Sequence, residues 1–394
     1  MTKRKWISLI IIGSFLLSGP GLSAMAQAED GEKPDLVIYA YDSFISEWGP
    51  AGRVIPKFEE QHGAKVAVVS VGDAGQVLSQ AILEKERPRA DIIVGIDNNM
   101  LSRALEEDIL EVYKSANIGL IPEELLFDPS FHVTPFDYGY FAFVYDSQEL
   151  KRIPESLEDL TAEEYRNKII VEDPRTSSPG LGFLLWTIAV FGDDYLNYWQ
   201  QLKPNLLTIT DGWDSAYGMF TGGEAPIVLS YTTSPAYHVE YEDSRRYQAL
   251  IFKRGNYLQI EGMAILKGAP NRETAREFID FILTEEFQKE IPLTNWMYPV
   301  NPGVKLPESF KFAPKPHTSL SLSAEKIDKN RDIWLKDWAR LRSMGAHGLR
   351  LLKTQYLISS ASPRFLSRNS FPPNKCFTLM STKRPSPRWS TASL

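Results

Sequence analysis

The most constraining feature of this sequence is a regular alternation of short apolar runs with amphipathic segments. Five apolar runs have the length and β-branched content of buried strands, at residues 36–40, 66–69, 92–96, 169–171 and 227–229. Residues 77–86 have helical composition, and residues 273–288 carry their apolar side chains on one helical face. Strands that alternate with helices predict an α/β fold with parallel or mixed sheets.

Polar and aromatic residues follow several of these strands directly. The clusters are Tyr41-Asp42-Ser43, Gly72-Asp73-Ala74-Gly75, Asp97-Asn98-Asn99 and Ser230-Tyr231-Thr232-Thr233-Ser234. Parallel sheets place ligand sites outside the carboxyl ends of their strands, so repeated clusters there predict a ligand cleft. Each cluster alone also fits a turn or a helix cap.

The N-terminal segment has the pattern of a signal peptide. Lys3, Arg4 and Lys5 precede an apolar run at residues 6–17, and small-residue cleavage sites follow at residues 24–28. We therefore expect residues 1–28 to be removed on export. Neither cleavage site is followed by a cysteine, so the mature chain is expected to be free in the periplasm.

The C-terminal segment has a different composition from the rest. After Asp337 the sequence contains about ten basic residues and no acidic ones, and it becomes rich in Ser and Pro. Residues 342–394 are therefore predicted to be an aberrant or disordered tail outside the fold. Without both ends the net charge falls from −7 to roughly −20. An acidic body of this kind excludes nucleic acid as a partner and suits a cationic ligand.

Motifs for catalysis or metal binding are absent from the sequence. It contains no GxSxG elbow, P-loop, HExxH or complete GxGxxG. The five histidines are scattered, and the lone Cys376 has no partner for a disulfide or a zinc site. We expect no catalytic residue, no metal and no cofactor. A periplasmic phosphate-ester hydrolase remains the enzymatic alternative, and it would need a metal cluster or an activated nucleophile.

Two local patterns suggest what a cleft could bind. Trp213, Tyr231, Tyr237 and Trp296 lie near acidic residues and strand or helix ends, an arrangement that suits a flat organic cation. Core packing is the alternative explanation for each ring. The segment Thr176-Ser177-Ser178 precedes an apolar helix, so its amides and hydroxyls would suit a phosphate or would simply cap that helix.

Seven ordered motifs give the chain a recognisable pattern. They are YAYDSF, GIDNN, PFDYGYFAFVYD, EDPRTSSPGLGFLLW, DGWDSAYGMF, VLSYTTSPAYH and IPLTNWMYPV. Together they closely resemble the periplasmic thiamine-binding proteins of thiamine ABC importers, over about Leu36 to Leu335. The resemblance implies a bilobal type II periplasmic solute-binding fold, with two mixed or parallel-sheet lobes and an interlobe ligand cleft. Lobe 1 would comprise residues 35–138 and 263–338, and lobe 2 residues 139–262.

The resemblance also implies a ligand and a set of contacts. The ligand would be thiamine, thiamine monophosphate or thiamine pyrophosphate, and a monomeric chain would deliver it to a membrane permease. The residues that match the family's ligand contacts are Asp73, Ala74, Ser177, Ser178, Trp213, Tyr231, Thr232, Thr233, Ser234, Tyr237 and Trp296. The same fold could instead bind ferric ion or a polyamine, and these alternatives stay open.

Overall fold

The protein is described by a computed structural model that covers residues 33–343. The predicted signal peptide at residues 1–28, and residues 344–394 of the predicted tail, lie outside the described residues. The predicted start of the tail at residue 342 was wrong by two residues, because the last described helix continues to Ser343. The described chain up to Arg340 belongs to one compact unit.

The strands lie where the apolar runs predict them, with additional strands in the second half of the chain. They are β1 (Leu36–Ala40), β2 (Val66–Ser70), β3 (Ile92–Asp97), β4 (Thr134–Asp146), β5 (Ile169–Glu172), β6 (Leu206–Thr210), β7 (Ile227–Tyr231), β8 (Tyr247–Ala249), β9 (Asn256–Ile265), β10 (Tyr298–Pro299) and β11 (Ser319–Leu320).

These strands form one mixed sheet in the order β2-β1-β3-β9-β4-β7-β5-β6. β1 pairs in parallel with β2 and β3, and β5 pairs in parallel with β6 and β7. The two long strands β4 and β9 run antiparallel to each other, β9 runs antiparallel to β3, and β4 runs antiparallel to β7. The predicted α/β class with mixed sheets is therefore confirmed.

Strand β4 joins the two halves of the sheet. Residues 134–140 of β4 pair with β9, and residues 141–145 pair with β7. We call β2, β1, β3, β9 and the start of β4 the first half, and the end of β4, β7, β5 and β6 the second half. The lobe boundaries given above stay a prediction.

Twelve α-helices lie among the described residues. They are α1 (Asp42–Ile45), α2 (Ala51–His62), α3 (Ala74–Leu83), α4 (Leu101–Glu106), α5 (Ser178–Phe191), α6 (Tyr195–Leu202), α7 (Trp213–Thr221), α8 (Ser234–Glu242), α9 (Arg272–Phe281), α10 (Glu285–Gln288), α11 (Ile291–Thr294) and α12 (Ala324–Ser343). None of the described helices is both long enough and apolar enough to cross a membrane.

Two local predictions were wrong in detail. The helix predicted over residues 273–288 ends at Phe281, because the Thr284 hydroxyl accepts a hydrogen bond from the Phe287 amide and caps a separate helix, α10. Strand β2, predicted to be buried, is half-exposed, with Val69 at 42% exposure. As the edge strand it pairs only with β1, which leaves one side open.

The core of the second half is built from aromatic side chains around α5. Every residue of α5 up to Ile188 is buried. Phe183 lies edge-on to Phe143 of β4 with ring centroids 5.1 Å apart, and the buried Trp186 donates its indole N–H to the Gly255 carbonyl. This packing fixes the start of α5, at Ser178, against the carboxyl end of β5.

Candidate ligand-binding cleft

A cleft of about 890 Å³, including its open mouth, lies between the two halves of the sheet. The first half contributes Tyr41 after β1 and Asp73 after β2. From the second half come Ser178 at the start of α5, Trp213 after β6, and Tyr231 at the end of β7. The cleft therefore opens at carboxyl ends of parallel strands, as the strand-end clusters predict.

The lining of the cleft is aromatic and acidic. Its rings are Tyr41, Trp48, Trp213, Tyr231 and Trp296, and its acidic residues are Asp42, Asp73, Asp211, Asp214 and Glu261. Among the described residues that line it, none is a lysine, arginine or histidine. A cation that enters this cleft therefore meets ring faces and carboxylates without competition from a protein cation.

Asp73 accepts hydrogen bonds from the first residues of three helices, α3, α5 and α7. It caps α3, where its carboxylate accepts the Ala74 amide at 2.6 Å, and it also accepts the Trp213 amide of α7 at 2.9 Å. Burial raises the pKa of Asp73, although hydrogen bonds from Trp213, Ala74, Ser177 and Ser178 oppose that rise. Asp73 thus links the first half of the sheet to two helices of the second half.

Ser177 and Ser178 form the start of α5, as the loop-to-helix pattern predicts. Ser177 is the N-cap residue, and its hydroxyl accepts a long hydrogen bond from the Gly180 amide at 3.5 Å. Ser178 lines the cleft, whereas Ser177 does not and is turned toward Asp73. The donors at this helix start are thus directed at a carboxylate of the protein itself.

Trp213 forms one wall of the cleft. Its ring stacks on Tyr217 with centroids 4.8 Å apart and an interplanar angle of 16°, and its indole N–H donates to the Ser230 hydroxyl at 2.8 Å. Trp48 meets it edge-on at 6.1 Å. These contacts hold the Trp213 ring in one orientation, which lowers the entropy lost when a ligand stacks on it.

Trp296 approaches the cleft from an unusual backbone turn. Its φ of +56° lies in the left-handed region, which is rare for a bulky residue and carries strain. The ring is buried, lines the cleft, and its indole N–H has no hydrogen-bond partner among the described residues. A bulky residue that lines a cavity from a strained turn suggests a ligand-binding position.

Tyr237 lines a second cavity of about 770 Å³ rather than the main cleft. The two cavities are adjacent, and they share the lining residues Trp48, Trp213, Asp214, Ser234 and Trp296. Tyr237 packs edge-on against Trp296 with centroids 5.1 Å apart. It therefore supports a ring of the main cleft from behind.

The segment Tyr231 to Ser234 is divided between cleft and interior. Tyr231 and Ser234 line the cleft, and the Ser234 hydroxyl lies 2.7 Å from that of Ser230. Thr232 and Thr233 are fully buried, do not line either cavity, and have hydroxyls without a partner among the described residues. Ala74 lines the cleft beside Asp73.

Together with the placements above, the structure brings seven of the eleven predicted residues to the main cleft.

The floor of the cleft contains a carboxyl pair absent from the predicted site. Glu261 of β9 lines the cleft, and Asp137 of β4 lies directly opposite it in the sheet, fully buried. Asn295 donates its side-chain N–H to Asp137 at 2.5 Å and to the Tyr41 hydroxyl at 3.0 Å. Burial raises the pKa of Asp137 to about 8 and holds the pKa of Glu261 well above its ordinary value.

A sequence signal for this pair exists. Glu261 is the only acid in the apolar strand NYLQIEGMAI, and Asp137 stands between aromatic residues in TPFDYGYF. A single acid inside a strand that is buried on both faces is costly, so it marks a position with a specific partner or function. Trp48 and Asn295 follow short helices and carry no comparable signal. No group of three or more His, Cys, Asp or Glu residues among residues 33–343 has a geometry that could hold a metal ion.

The fold and the cleft match a known class. Residues 87–330 match the family model for bacterial extracellular solute-binding proteins, and the chain belongs to this family. Its curated relatives include the thiamine-binding periplasmic protein of Brucella melitensis biotype 1, 41% identical over 84% of this chain and 97% of the relative. The Escherichia coli K12 thiamine-binding periplasmic protein is 40% identical over 78% of this chain and 93% of its own length. The resemblance inferred from the motifs is confirmed.

Solved structures support the same fold. A periplasmic thiamin binding protein superimposes with a TM-score of 0.75 at 39% identity, covering 78% of this chain and 96% of that one. A ferric binding protein from Campylobacter jejuni has a TM-score of 0.65 at 22% identity, covering 78% and 99%. The latter likeness shows the shared architecture alone. The predicted periplasmic solute-binding fold is therefore confirmed.

Proposed function

We propose that this protein binds thiamine in the cleft between the two halves of its sheet and delivers it to the membrane permease of an ABC importer. It acts in the periplasm as a binding protein without a catalytic step. Residues 1–28 serve as a cleaved signal peptide, and the mature chain is monomeric. The relatives named thiamine-binding periplasmic protein, at about 40% identity over most of the chain, support this proposal.

The composition of the cleft lining is the observation that carries the proposal. Thiamine contains a permanently cationic thiazolium ring joined to a flat aminopyrimidine. Each aromatic ring face of the cleft attracts such a cation by about 0.5 to 2 kcal/mol. Five acidic residues of the lining supply the counter-charge, and no basic residue of the described lining opposes it. The surface of the cleft therefore fits a flat aromatic cation best.

The phosphate esters of thiamine are included in the proposal, with the helix starts as their binding end. The first turns of α5 and α7 donate N–H groups to Asp73, which lines this part of the cleft, and Ser178, Ser215 and Ser234 add hydroxyls. Helix N-termini favour anions through free amides and the positive end of the helix dipole. Asp73 already accepts several of these donors, so a phosphate has to share them.

A polyamine is the second candidate, because the five acidic residues of the lining would attract it equally well. The rings distinguish the two ligands. A flexible aliphatic polyamine gains little from the stacked pair of Trp213 and Tyr217, whereas a flat heterocycle gains face-to-face contact.

Calorimetry of the purified mature protein tests the proposal. Separate titrations use thiamine, thiamine monophosphate, thiamine pyrophosphate, spermidine and ferric citrate. We expect one thiamine per chain, and an increase in melting temperature with ligand concentration as mass action requires. Absence of both binding heat and thermal shift at saturating thiamine would refute the assignment. Tight binding of spermidine or iron alone would establish the corresponding alternative.

A further inference from the structure

Three acidic residues form a row across the floor of the cleft. In the sheet, Asp97 of β3 and Asp137 of β4 are both direct neighbours of Glu261 on β9. Like charges directly opposite each other destabilise a sheet. All three residues are buried, with exposures of 0%, 0% and 7% for Asp97, Asp137 and Glu261, so water does not screen them. The three acidic residues can therefore lie side by side only if hydrogen-bond donors stabilise the carboxylates or a proton neutralises one of them.

Asp97 has enough donors of its own. Its carboxylate accepts the Asn99 and Met100 amides at 2.9 Å each and the Gln259 side-chain N–H at 2.9 Å. The Asn99 side chain adds a fourth bond at 3.2 Å. Burial raises the pKa of Asp97 to about 6, and the four donors oppose that rise, so Asp97 is ionised at neutral pH.

Asp137 and Glu261 have few donors. One Asp137 oxygen accepts from Asn295, and the other has no amide or hydroxyl partner among the described residues. Glu261 lies directly opposite Asp137 in the sheet, and the nearby Tyr41 hydroxyl is bonded to Asn295. Two buried carboxylates directly opposite each other repel strongly unless one of them carries a proton. The pair therefore shares a proton in the ligand-free cleft.

The groups that face Glu261 from each packed element are all neutral or acidic. They are Tyr41 after β1, Asp97 on β3, Asp137 on β4, Tyr231 on β7 and Asn295 after α11. No basic residue lines the described cleft. A positive charge at this position has to come from a ligand.

We propose that Glu261 is the counter-charge for the cationic part of the ligand, and that ligand entry displaces the proton it shares with Asp137. Glu261 lines the cleft and can reach the ligand, whereas Asp137 lies beside it on β4, fully buried and outside the lining, and acts as a positioning residue. The proton passes to solvent, and the pair then carries two negative charges opposite the cation. This inference rests on the proposed function, because it requires a cationic ligand in this cleft.

The sign of the pH dependence follows from linkage. Burial raises the pKa of both carboxyl groups, so the free pair still holds its proton at neutral pH. An adjacent cation favours the ionised form and lowers the pKa. Binding therefore releases a proton, and affinity for thiamine rises with pH up to about pH 8. The rise is at most about tenfold per pH unit for one released proton.

Calorimetry in two buffers tests the release directly. Thiamine is titrated into the wild-type protein at neutral pH in phosphate and in Tris, which differ strongly in ionisation enthalpy. We expect binding heats that differ by the ionisation enthalpy of a large fraction of one proton. Equal heats in the two buffers, with normal thiamine binding, would overturn this inference and leave the proposed function intact. Absence of thiamine binding would instead overturn the proposed function.

Two isosteric variants separate the roles of the pair. Glu261→Gln should lose the proton release and weaken thiamine binding at least tenfold, because the counter-charge is gone. Asp137→Asn should keep affinity within about threefold at neutral pH, because Glu261 remains. It should release a smaller fraction of a proton than wild type, because burial still raises the pKa of Glu261 but the Asp137 charge no longer does. Thiamine's own ionisation is the same in each titration, so the differences report the protein.

Glu240→Gln, at an exposed position of α8 outside the cleft lining, is the matched control and should behave as wild type. Melting temperatures of the free proteins verify that every variant is folded. Wild-type affinity together with wild-type proton release in Glu261→Gln would refute the proposal.

Discussion

Two ends of the cleft bury a carboxyl group in opposite ways. Asp73 lies where helices begin, and it accepts backbone amides of Ala74 and Trp213 at 2.6 and 2.9 Å. Glu261 lies inside a strand whose backbone is paired on both sides, with β3 and with β4. A helix start leaves up to four N–H groups free, whereas a paired strand leaves none. The backbone around a buried acid thus decides whether it receives donors or must retain a proton.

The largest effect on stability is expected at Asp73, the carboxyl group that lies at the helix starts. Asp73→Ala leaves the amides of Ala74 and Trp213 without their acceptor, so the free energy of unfolding should fall by about 2 to 4 kcal/mol. Asp73→Asn retains a side-chain acceptor and should lose less than about 1 kcal/mol. Urea denaturation of the ligand-free proteins measures both. Equal stability of Asp73→Ala and wild type would show that the amides find other partners.

The pH dependence of stability tests the carboxyl pair of Asp137 and Glu261 at the other end of the cleft. Asp137 has a pKa of about 8 in the folded protein, far above its ordinary value of 3.8. Its protonated form therefore stabilises the folded state at low pH, and this contribution is lost as pH rises from about 4 through 8. Asp137→Asn has no such proton to lose. Its melting temperature relative to wild type should rise by several degrees between pH 5.5 and 8.5.

If the difference in melting temperature between Asp137→Asn and wild type stays constant from pH 5.5 to 8.5, Asp137 does not hold the proton assigned to it. The same measurement on Asp73→Asn is the comparison, because the donors around Asp73 oppose the effect of its burial. Its melting temperature relative to wild type should change less with pH.

The aromatic wall between the two ends should affect binding more than folding. Trp213→Ala removes the ring that stacks on Tyr217, and thiamine affinity should fall by about 1 to 3 kcal/mol. Trp213→Phe keeps a smaller ring and should lose roughly half as much. Calorimetry with thiamine and with spermidine gives both values. Equal losses for the two ligands would favour the polyamine alternative.

Replacing Ser177 and Ser178 together with alanine sharpens the comparison at the helix end. The hydroxyls are lost but the amides of α5 remain. Thiamine monophosphate should lose about 1 to 3 kcal/mol of binding free energy, and free thiamine should lose less. Equal losses for both ligands would mean that the serines shape the cleft generally. If neither ligand loses affinity, the serines act only as the cap of α5.

The smallest effect is expected at Tyr237, which supports Trp296 from the second cavity. Tyr237→Phe keeps the ring, so thiamine affinity should change by less than about 0.5 kcal/mol. Tyr237→Ala removes the support and should weaken binding by about 1 kcal/mol or more. A large loss in Tyr237→Phe would show that the hydroxyl contacts the ligand.

The sequence predicts the strands and the strand-end cleft well, because both depend on local patterns. Residues 36–40 form β1 with the predicted bounds, and the loops with Tyr41, Asp73 and Tyr231 meet at one cleft. The exposure of β2 was not predictable from its apolar composition, since exposure depends on the order of strands in the sheet. Strand order is set by contacts between distant segments.

The floor of the cleft shows where sequence reasoning stops. Glu261 and Asp137 are about 120 residues apart, and only the pairing of β4 with β9 makes them neighbours. The turn that orients Trp296 depends on a left-handed backbone that few sequence rules assign to tryptophan. The proposed roles of Thr232 and Thr233 stay a prediction, because both are buried behind the cleft.

The tryptophans of the cleft also have an optical consequence. Trp48, Trp213 and Trp296 line the cleft, while Trp186, Trp199 and Trp338 are buried in the interior. We expect an electron-poor cationic ring bound in the cleft to quench the emission of the indoles that it contacts, while the interior indoles emit as a constant background. Because the described lining contains no lysine, amine-reactive dyes would leave this surface unmodified. The intrinsic emission of the chain should thus report the occupancy of the cleft, and a dye on surface amines would supply a reference signal outside the cleft.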